Sequence, residues 1–208
     1  MLRTETVEPH TLSVLNKLMQ VSELQDFALV GGTALSLLYG HRMSVDLDLF
    51  SNKPFENTNI VSALQNEFKD SFIVEDKPSR FGIFCYVNEV KIDIVRHPHP
   101  LIRPQFEIEG IRMFSTEDIV AMKVQAILGR AKKKDFWDVA ELLNHYTVAD
   151  FINFHKEKYV TQNLFITVPQ AISYFADADE SEDPISLQNQ SWEGIQKVIG
   201  LKVSEYLR

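Results

Sequence analysis

The spacing of apolar residues changes along the chain from helical to period two and back to helical. Residues 8–24 carry apolar side chains at helical spacing and predict an amphipathic helix, after which the apolar run Phe27–Val30 predicts a short buried strand. From Phe72 to Met113 apolar and polar residues alternate, which is typical of strands. From Ser115 onward the spacing is helical again. The pattern predicts an α+β fold.

Turn and capping residues indicate where the individual elements begin and end. The predicted strands after the first are one that carries Asp46 and Asp48, then Phe72–Glu75, Phe81–Val87, Val90–Val95 and Phe106–Arg112, with a hairpin turn at Asn88-Glu89. The predicted helices are Thr33–Tyr39, Thr58–Phe68, Glu117–Ala131 after a capping box at Ser115, Phe136–His145 capped by Asp135, Val148–Tyr159, Val168–Phe175 and Ser191–Leu207. We expect a mixed or antiparallel sheet with flanking helices over residues 1–113 and a small helical domain over residues 114–208.

The pair Gly31-Gly32 lies between the first strand and the helix that begins at Thr33. Glycines leave backbone N–H groups uncovered, and the N-terminus of a helix attracts anions such as phosphate. On its own such a pair is more often only a turn. We interpret Gly31, Gly32 and Thr33 as a candidate phosphate cradle because of the acidic residues that follow.

Asp46 and Asp48 are two residues apart on the predicted second strand and therefore project from the same face, with Val45, Leu47 and Leu49 packed behind them. Two adjacent carboxylates repel each other unless a positive charge lies between them. Oxygen ligands of this kind suit Mg²⁺. The alternative is a solvated strand edge.

Asp93 lies in the middle of the predicted strand Val90–Val95, opposite the apolar Ile92 and Ile94. A lone carboxylate is costly inside a core strand. One interpretation is the solvent-facing side of an antiparallel sheet, and the other is a third acidic residue beside Asp46 and Asp48.

A set of basic residues and a pair of acidic residues follow on the predicted helices. Lys123, Arg130 and Lys134 are seven and four residues apart, so they share a cationic stripe if the helix continues, although such a stripe is often only a solvated face. Asp135 and Asp138 are three apart and lie near each other, as in ordinary helix capping or as in a site.

These motifs together resemble a known signature. The run Val30-Gly31-Gly32, a gap of 13 residues from Gly32, and Asp46-Leu47-Asp48-Leu49 is similar to that of DNA polymerase β-like nucleotidyltransferases. GGTAL followed by HRMSVDLDLF, with Lys123 in IVAMKVQAILGR and the Asp135–Asp138 block, resembles the narrower AbiEii/AbiGii toxin family. The resemblance covers roughly residues 25–145.

The resemblance implies a Mg²⁺-dependent enzyme, with Mn²⁺ as a substitute, that transfers a nucleoside monophosphate from a nucleoside triphosphate to an acceptor hydroxyl on RNA, such as tRNA, or on protein. It implies that Asp46, Asp48 and Asp93 bind the metal and that Asp93 or Asp135 acts as third ligand or general base. Lys123 would stabilise the leaving pyrophosphate, and Arg42 would contact phosphate. Such proteins are toxins of bacterial toxin–antitoxin or phage-defence pairs, so a cognate antitoxin is an expected partner.

Three other functions fit parts of the pattern. They are a nucleotidyltransferase-fold antitoxin that modifies a partner toxin, a glycosyltransferase with a metal-binding Asp-x-Asp, and a non-catalytic protein whose acids bind metal or a partner. A glycosyltransferase would normally begin with a Rossmann-like βαβ run, which is not recognisable before residue 46.

Composition limits the alternatives. A net charge of −8 argues against a broad nucleic-acid surface but allows a local basic groove. The single cysteine, Cys85, excludes an internal disulfide and fits a reducing cytoplasm. No apolar stretch is long enough for a membrane span, and the first ten residues have no signal-peptide core. His97-Pro98-His99-Pro100 is interpreted as a loop, since two histidines without further ligands rarely bind metal.

Overall fold

A computed structural model describes residues 1–75 and 81–208, so residues 76–80 of the period-two region lie outside the described part. The described strands are β1 (Ala28–Val30), β2 (Leu47–Ser51), β3 (Phe72–Val74), β4 (Gly82–Val87), β5 (Val90–Arg96), β6 (Phe106–Ile108) and β7 (Ile111–Met113). The described α-helices are α1 (Pro9–Leu18), α2 (Gly31–Tyr39), α3 (Asn57–Phe68), α4 (Thr116–Gly129), α5 (Lys133–Leu142), α6 (Val148–Lys158), α7 (Val168–Ile172) and α8 (Trp192–Tyr206).

The described strands form one sheet in the order β3-β4-β5-β2-β1-β7-β6. Strand β2 is central, antiparallel to β1 and parallel to β5, while β1 is parallel to β7. This confirms the predicted α+β fold with a mixed sheet. The parallel β2–β5 pair matters most for the site because it places Asp48 directly beside Asp93.

The alternation on β2 and β5 sorts their side chains between two faces. Leu47, Leu49 and Ile92 are at most 1% exposed, whereas Asp48 and Asp93 lie on the opposite, partly exposed face. The predicted packing of Leu47 and Leu49 is therefore confirmed. Val45 and Asp46 precede the strand, and the predicted burial of Val45 is wrong because it is 55% exposed outside the regular strand.

Two predicted elements differ in the structure. The turn at Asn88-Glu89 is confirmed, with both residues at positive φ. The predicted strand Phe106–Arg112 is wrong: Glu109 and Gly110 adopt positive φ values of 53° and 80°, and the segment folds as the hairpin β6–β7. An alternating pattern alone does not reveal a two-residue turn within it.

The start of α5 also differs from the prediction. Lys132 is the N-cap residue and the helix begins at Lys133, so the predicted cap at Asp135 is wrong. Asp135 is instead fully buried in the first turn, where its backbone N–H donates to the carbonyl of Lys132. At α4 the predicted cap is correct, since the Ser115 side chain accepts a hydrogen bond from the Asp118 N–H.

Helix α4 connects the sheet to the later helices. It packs against α2, α5, α6 and α7. One hydrophobic cluster includes Leu49 and Ile92 of the sheet together with Val124, Phe136 and Trp192 of the helices. None of the helices in the described ranges is long and apolar enough to cross a membrane.

The guanidinium of Arg112 on β7 ties the sheet to the chain before β1. It donates hydrogen bonds to the backbone carbonyls of Met19, Leu24 and Phe27 at 2.9, 3.1 and 3.1 Å. These carbonyls lie in an irregular segment, where one side chain replaces regular secondary-structure pairing.

We expect Arg112→Met to lower the free energy of unfolding by about 2 to 4 kcal/mol, because it leaves the partly buried carbonyls of Met19 and Phe27 without a donor, while that of Leu24 keeps a backbone N–H. Urea denaturation measures this value. Glu107→Ala, on the exposed face of the neighbouring strand, is the control and should change stability by less than about 0.5 kcal/mol. Equal effects of both substitutions would contradict this role of Arg112.

Candidate active site

A cavity of about 400 Å³ lies between the polar face of the sheet and helix α4. All of the predicted site residues except Asp135 line it, namely Gly31, Gly32, Thr33, Arg42, Asp46, Asp48, Asp93 and Lys123. Arg130 and Lys134 of the predicted cationic stripe line it as well. The fold therefore brings together acidic and basic residues from four separate segments of the chain.

The two glycines allow charged side chains to approach the backbone closely. A β-carbon on Gly31, which has a φ of +71°, would lie 2.6 Å from Oδ2 of Asp48. A β-carbon on Gly32 would lie 2.0 Å from Nη2 of Arg42. A side chain at either glycine would displace Asp48 or Arg42, so with both in place the first turn of α2 is bare where it faces the cavity.

Asp48 and Asp93 form an acidic pair on the central strands. They occupy equivalent positions on the parallel strands β2 and β5, which lie about 4.8 Å apart. Burial, followed by the neighbouring charge of Asp93, raises the pKa of Asp48 to about 6. Oδ1 of Asp93 is buried and accepts no hydrogen bond, although Nζ of Lys91 lies 3.1 Å away. Lys91 also donates a hydrogen bond to Oδ2 of Asp93 at 3.1 Å, so this one cation partly neutralises the pair.

Asp46 lies at the mouth of the cavity, immediately before β2. Its Oδ2 is 3.2 Å from Nζ of Lys134, and both side chains are 37% exposed. Its backbone carbonyl accepts a hydrogen bond from Oγ1 of Thr33, which also contacts Oγ of Ser44 at 2.8 Å. Thr33 thus connects the glycine turn to the acidic strand.

The donor set of Asp46, Asp48 and Asp93 consists only of carboxylate oxygens, which is chemistry suited to Mg²⁺. Asp48 and Asp93 adjoin one another, whereas Asp46 contacts Lys134. Across residues 1–75 and 81–208, no three His, Cys, Asp or Glu side chains already have the spacing of a formed metal site. Oδ1 of Asp93, which accepts no hydrogen bond, and the raised pKa of Asp48 are what a cation between the two carboxylates would relieve.

Lys123 projects from α4 into a buried group of charges. Its Nζ is 2.9 Å from Oδ1 of Asp135 and 2.6 Å from Oδ2 of Asp138. Burial on its own would lower the pKa of Lys123, but the two carboxylates outweigh it and the pKa is raised. Lys123 therefore remains a cation beside the cavity.

Asp138 is the centre of this group and is fully buried. In addition to Lys123, it accepts hydrogen bonds from Nε and Nη2 of Arg42 at 2.7 and 2.9 Å, and its Oδ1 lies 2.7 Å from Nε2 of His41. Burial tends to raise its pKa, but Arg42 and Lys123 hold the pKa well below its usual value. Asp138 therefore holds Arg42, Lys123 and His41 together in the interior.

Asp135 lies behind the cavity wall rather than in it. Its carboxylate receives hydrogen bonds from Lys123 and from Nε and Nη2 of Arg130 at 3.2 and 3.3 Å. Burial opposes ionisation, but Lys123 and Arg130 lower its pKa. The carboxylate therefore faces two cations and is placed to position them.

His41 is the residue of this group that the sequence patterns did not identify. It is fully buried and contacts Asp138 across a separation of 97 residues. The sequence feature that points to this role is the pair His41-Arg42 just before the acidic strand, because two adjacent donors can bind one carboxylate. Nothing in its local spacing indicates the partner on α5.

The chain also matches a family model over residues 13–199, that of the family described as "Nucleotidyl transferase AbiEii toxin, Type IV TA system". The chain belongs to this family. Membership confirms the resemblance inferred from the glycine pair and the acidic strand, and it identifies the protein as a nucleotidyltransferase enzyme. The glycosyltransferase and non-catalytic alternatives are set aside. The match extends well beyond residues 25–145 and includes most of the helical part.

This AbiEii-family chain is similar to one further protein in sequence and to two solved structures in fold. "Uncharacterized protein aq_aa25" of Aquifex aeolicus (strain VF5) is 30% identical over 201 residues, covering 93% of this chain and 94% of that protein. JHP933 from Helicobacter pylori has a TM-score of 0.59 at 20% identity, covering 96% of this chain and 92% of that one. MenT4, the nucleotidyltransferase toxin Rv2826c from Mycobacterium tuberculosis H37Rv, has a TM-score of 0.57 at 12% identity, covering 94% and 82%. Both structures share the fold.

We expect Asp48→Asn to stabilise the protein at neutral pH. The pKa of Asp48 is raised in the folded state to about 6, so the folded protein binds this proton more tightly than the unfolded chain does. Wild-type stability should therefore fall by about 2 kcal/mol as the pH rises from about 4 to about 6, a loss that the amide avoids.

Urea denaturation of both proteins at several pH values measures this difference. The variant should be more stable at neutral pH and similar to the wild type below about pH 4. Asp26→Asn, at an exposed carboxylate paired with Lys53, is the control and should change the free energy of unfolding by less than about 1 kcal/mol. A constant difference at every pH would contradict the assignment of the raised pKa to Asp48.

We expect Asp138→Asn to lower the free energy of unfolding by about 3 to 5 kcal/mol, because Arg42 and Lys123 would be left buried with too little negative charge. Asp183→Asn is the matched control, since Asp183 pairs with Lys133 at 2.7 Å but is 58% exposed. Its loss should be below about 1 kcal/mol. If both variants unfold at the same urea concentration, the buried charges do not depend on Asp138.

Proposed function

We propose that this enzyme transfers a nucleoside monophosphate from a nucleoside triphosphate to an acceptor hydroxyl. The observation that supports this most is the charge division of one cavity: a partly exposed carboxylate pair on the sheet faces cations on α4 and bare amides on α2. A triphosphate held with metal requires both kinds of charge.

We propose that Asp46, Asp48 and Asp93 hold Mg²⁺, with Mn²⁺ as a substitute. The support is the all-oxygen donor set, the oxygen of Asp93 that accepts no hydrogen bond and the raised pKa of Asp48. When bound, such an ion supplies positive charge to the phosphate oxygens that approach the carboxylates.

The phosphates would lie against Gly31, Gly32 and Thr33. The N–H groups of the first helical turn point away from the rest of α2, and the helix dipole makes this end positive. Arg42 lies against Gly32, where its guanidinium is fixed by Asp138. We propose that Arg42 supports the cradle by adding a fixed positive charge beside it.

Lys123 would stabilise the pyrophosphate as it leaves. Its raised pKa keeps it protonated although it is buried. Negative charge increases on the leaving pyrophosphate as the bond to the α-phosphorus breaks, and a fixed cation lowers the energy of that arrangement. Asp135 holds Lys123 and Arg130 in place, so we assign it a positioning role rather than that of a ligand.

The acceptor hydroxyl oxygen would attack the α-phosphorus as the bond to pyrophosphate breaks, and its proton would pass to Asp93. Of the two candidate bases, Asp93 lines the cavity and has an oxygen without a hydrogen bond. Asp135 has a lowered pKa and donors on both oxygens, which makes it a weaker base.

We propose that the protein is the toxin of a bacterial toxin–antitoxin or phage-defence pair, with a cognate antitoxin as partner and an RNA end, such as that of tRNA, as acceptor. Two observations support this: the family description names a toxin, and Arg130 and Lys134 add local positive charge at the cavity despite the net charge of −8. The buried thiol of Cys85 fits a cytoplasmic location.

We expect wild-type protein, incubated with labelled triphosphates, Mg²⁺ and total cellular RNA, to label RNA. Asp46→Ala, Asp48→Ala and Lys123→Ala should each reduce the rate at least tenfold, because each removes a charge from the triphosphate site. A tenfold loss corresponds to about 1.4 kcal/mol of barrier.

Two variants outside the cavity control this assay. Asp26 and Lys133 each form an ion pair outside the cavity. Asp26→Ala and Lys133→Ala should both retain the wild-type rate. Label that appears only on a co-purified protein would replace RNA by a protein acceptor and favour an antitoxin that modifies its partner. The growth of bacteria that express each variant is a second readout. If the three cavity variants arrest growth as the wild type does, the proposed chemistry is wrong.

A further inference from the structure

The cavity has a second end with different chemistry. Phe50 follows Asp48 by two residues on the same face of β2, roughly 6.6 Å further along the strand. The ring of His97, just beyond β5, lies 5.8 Å from the ring of Phe50. Both side chains line the cavity, so its floor changes from carboxylates to aromatic rings.

The wall of this second end comes from helices α4 and α6. Met122 and Gln125 of α4 line the cavity one helical turn apart, and Tyr159 closes it just after α6. The ring of Tyr159 lies edge-on to that of His97 at 6.0 Å. Three aromatic rings and a methionine thus surround the space beyond the acidic pair.

Two polar groups in this apolar surrounding have unused hydrogen-bonding capacity. Nε2 of His97 is buried and has no hydrogen-bond partner. Burial, followed by the charge of Lys158, lowers the pKa of His97 to about 3, so the ring is neutral and one nitrogen donates while the other accepts. A buried polar atom without a partner is costly unless a ligand satisfies it.

Gln125 supplies the second group. Its Oε1 lies 3.3 Å from Nε2 of His155. Because Oε1 can only accept, His155 must donate, and the NH₂ group of Gln125 remains as the donor available to the cavity.

We infer that this second end binds the nucleobase of the triphosphate and that His97 and Gln125 read its hydrogen-bonding edge. The inference rests on the proposed function and extends it to base selection. A nucleoside triphosphate is anionic at one end and aromatic at the other, which matches the order of groups along the cavity. Aromatic side chains stack on bases of any sequence, so selection falls to the polar groups.

Equilibrium binding tests this division of the site. Calorimetry in Mg²⁺ buffer gives dissociation constants for ATP, CTP, GTP, UTP and inorganic tripolyphosphate, which lacks both base and sugar. We expect His97→Ala to weaken the best-bound triphosphate at least tenfold and to leave tripolyphosphate within twofold of wild type, because only the base contacts His97.

His99→Ala is the matched control. Its ring lies 4.7 Å from that of His97 in the same loop, but it is not among the residues that line the cavity. Its binding constants should stay within twofold of wild type. Circular dichroism confirms that each variant is folded before binding is measured.

Gln125→Glu tests base reading without removing any side-chain volume. It replaces the free NH₂ donor by an acceptor, so the preference should move at least tenfold from UTP and GTP, which present carbonyl groups, toward CTP and ATP, which present amino groups. This second variant also keeps the test decisive if His97→Ala does not fold.

The outcomes separate the two proposals. If wild type binds triphosphates and both variants keep all constants within twofold, the base assignment is wrong while the proposed function stands. If His97→Ala weakens tripolyphosphate as much as it weakens the triphosphates, His97 is not a base contact and the assignment is again wrong. If wild type binds neither triphosphates nor tripolyphosphate, the proposed function itself fails.

Discussion

The buried ion-pair group around Asp138 is the constraint on which the site depends. Burying a carboxylate costs free energy unless charged donors surround it. If one partner is lost, the remaining buried charges are left without compensation. Asp138 binds side chains from the segment after α2 and from α4, and it is itself part of α5. The positions of Arg42 and Lys123 are therefore coupled, and the cationic side of the cavity is fixed before any ligand binds.

The acidic side of the cavity is arranged in the opposite way. Asp138 and Asp135 each have two or more cationic donors, whereas Asp48 has a raised pKa and Asp93 has Lys91 as its ion-pair partner and one buried oxygen that accepts no hydrogen bond. The sheet register keeps these two side by side in spite of their repulsion, because the apolar face of the same strands is packed in the core. The burial of Leu47, Leu49 and Ile92 thus offsets the cost of holding the two carboxylates side by side. Such a local cost is common at functional sites.

Local patterns in the sequence predicted much of this arrangement. The period-two alternation identified the faces of β2 and β5, and the glycine pair with the acidic strand identified the family, since both signals depend on residues close together in the chain. The predictions failed where the deciding contact is distant or the turn is short. Asp135 has the residue type of a helix cap and lies near the start of α5. Its ion pairs with Lys123 and Arg130 instead hold its side chain in the interior. The hairpin at Glu109-Gly110 interrupts an otherwise regular alternation, and the contact of His41 with Asp138 spans 97 residues.

The close approach at the two glycines has a consequence for how such a protein can diversify. A β-carbon at Gly31 or Gly32 would meet the end of a charged side chain, that of Asp48 or Arg42, so the wall they form can change only if the charged groups of the site move too. The opposite wall, on α4, also carries Met122 and Gln125, which lie outside the buried ion-pair group and can be exchanged without breaking it. Evolutionary adaptation to a new substrate is therefore expected on the helical wall, while the diglycine wall keeps its composition.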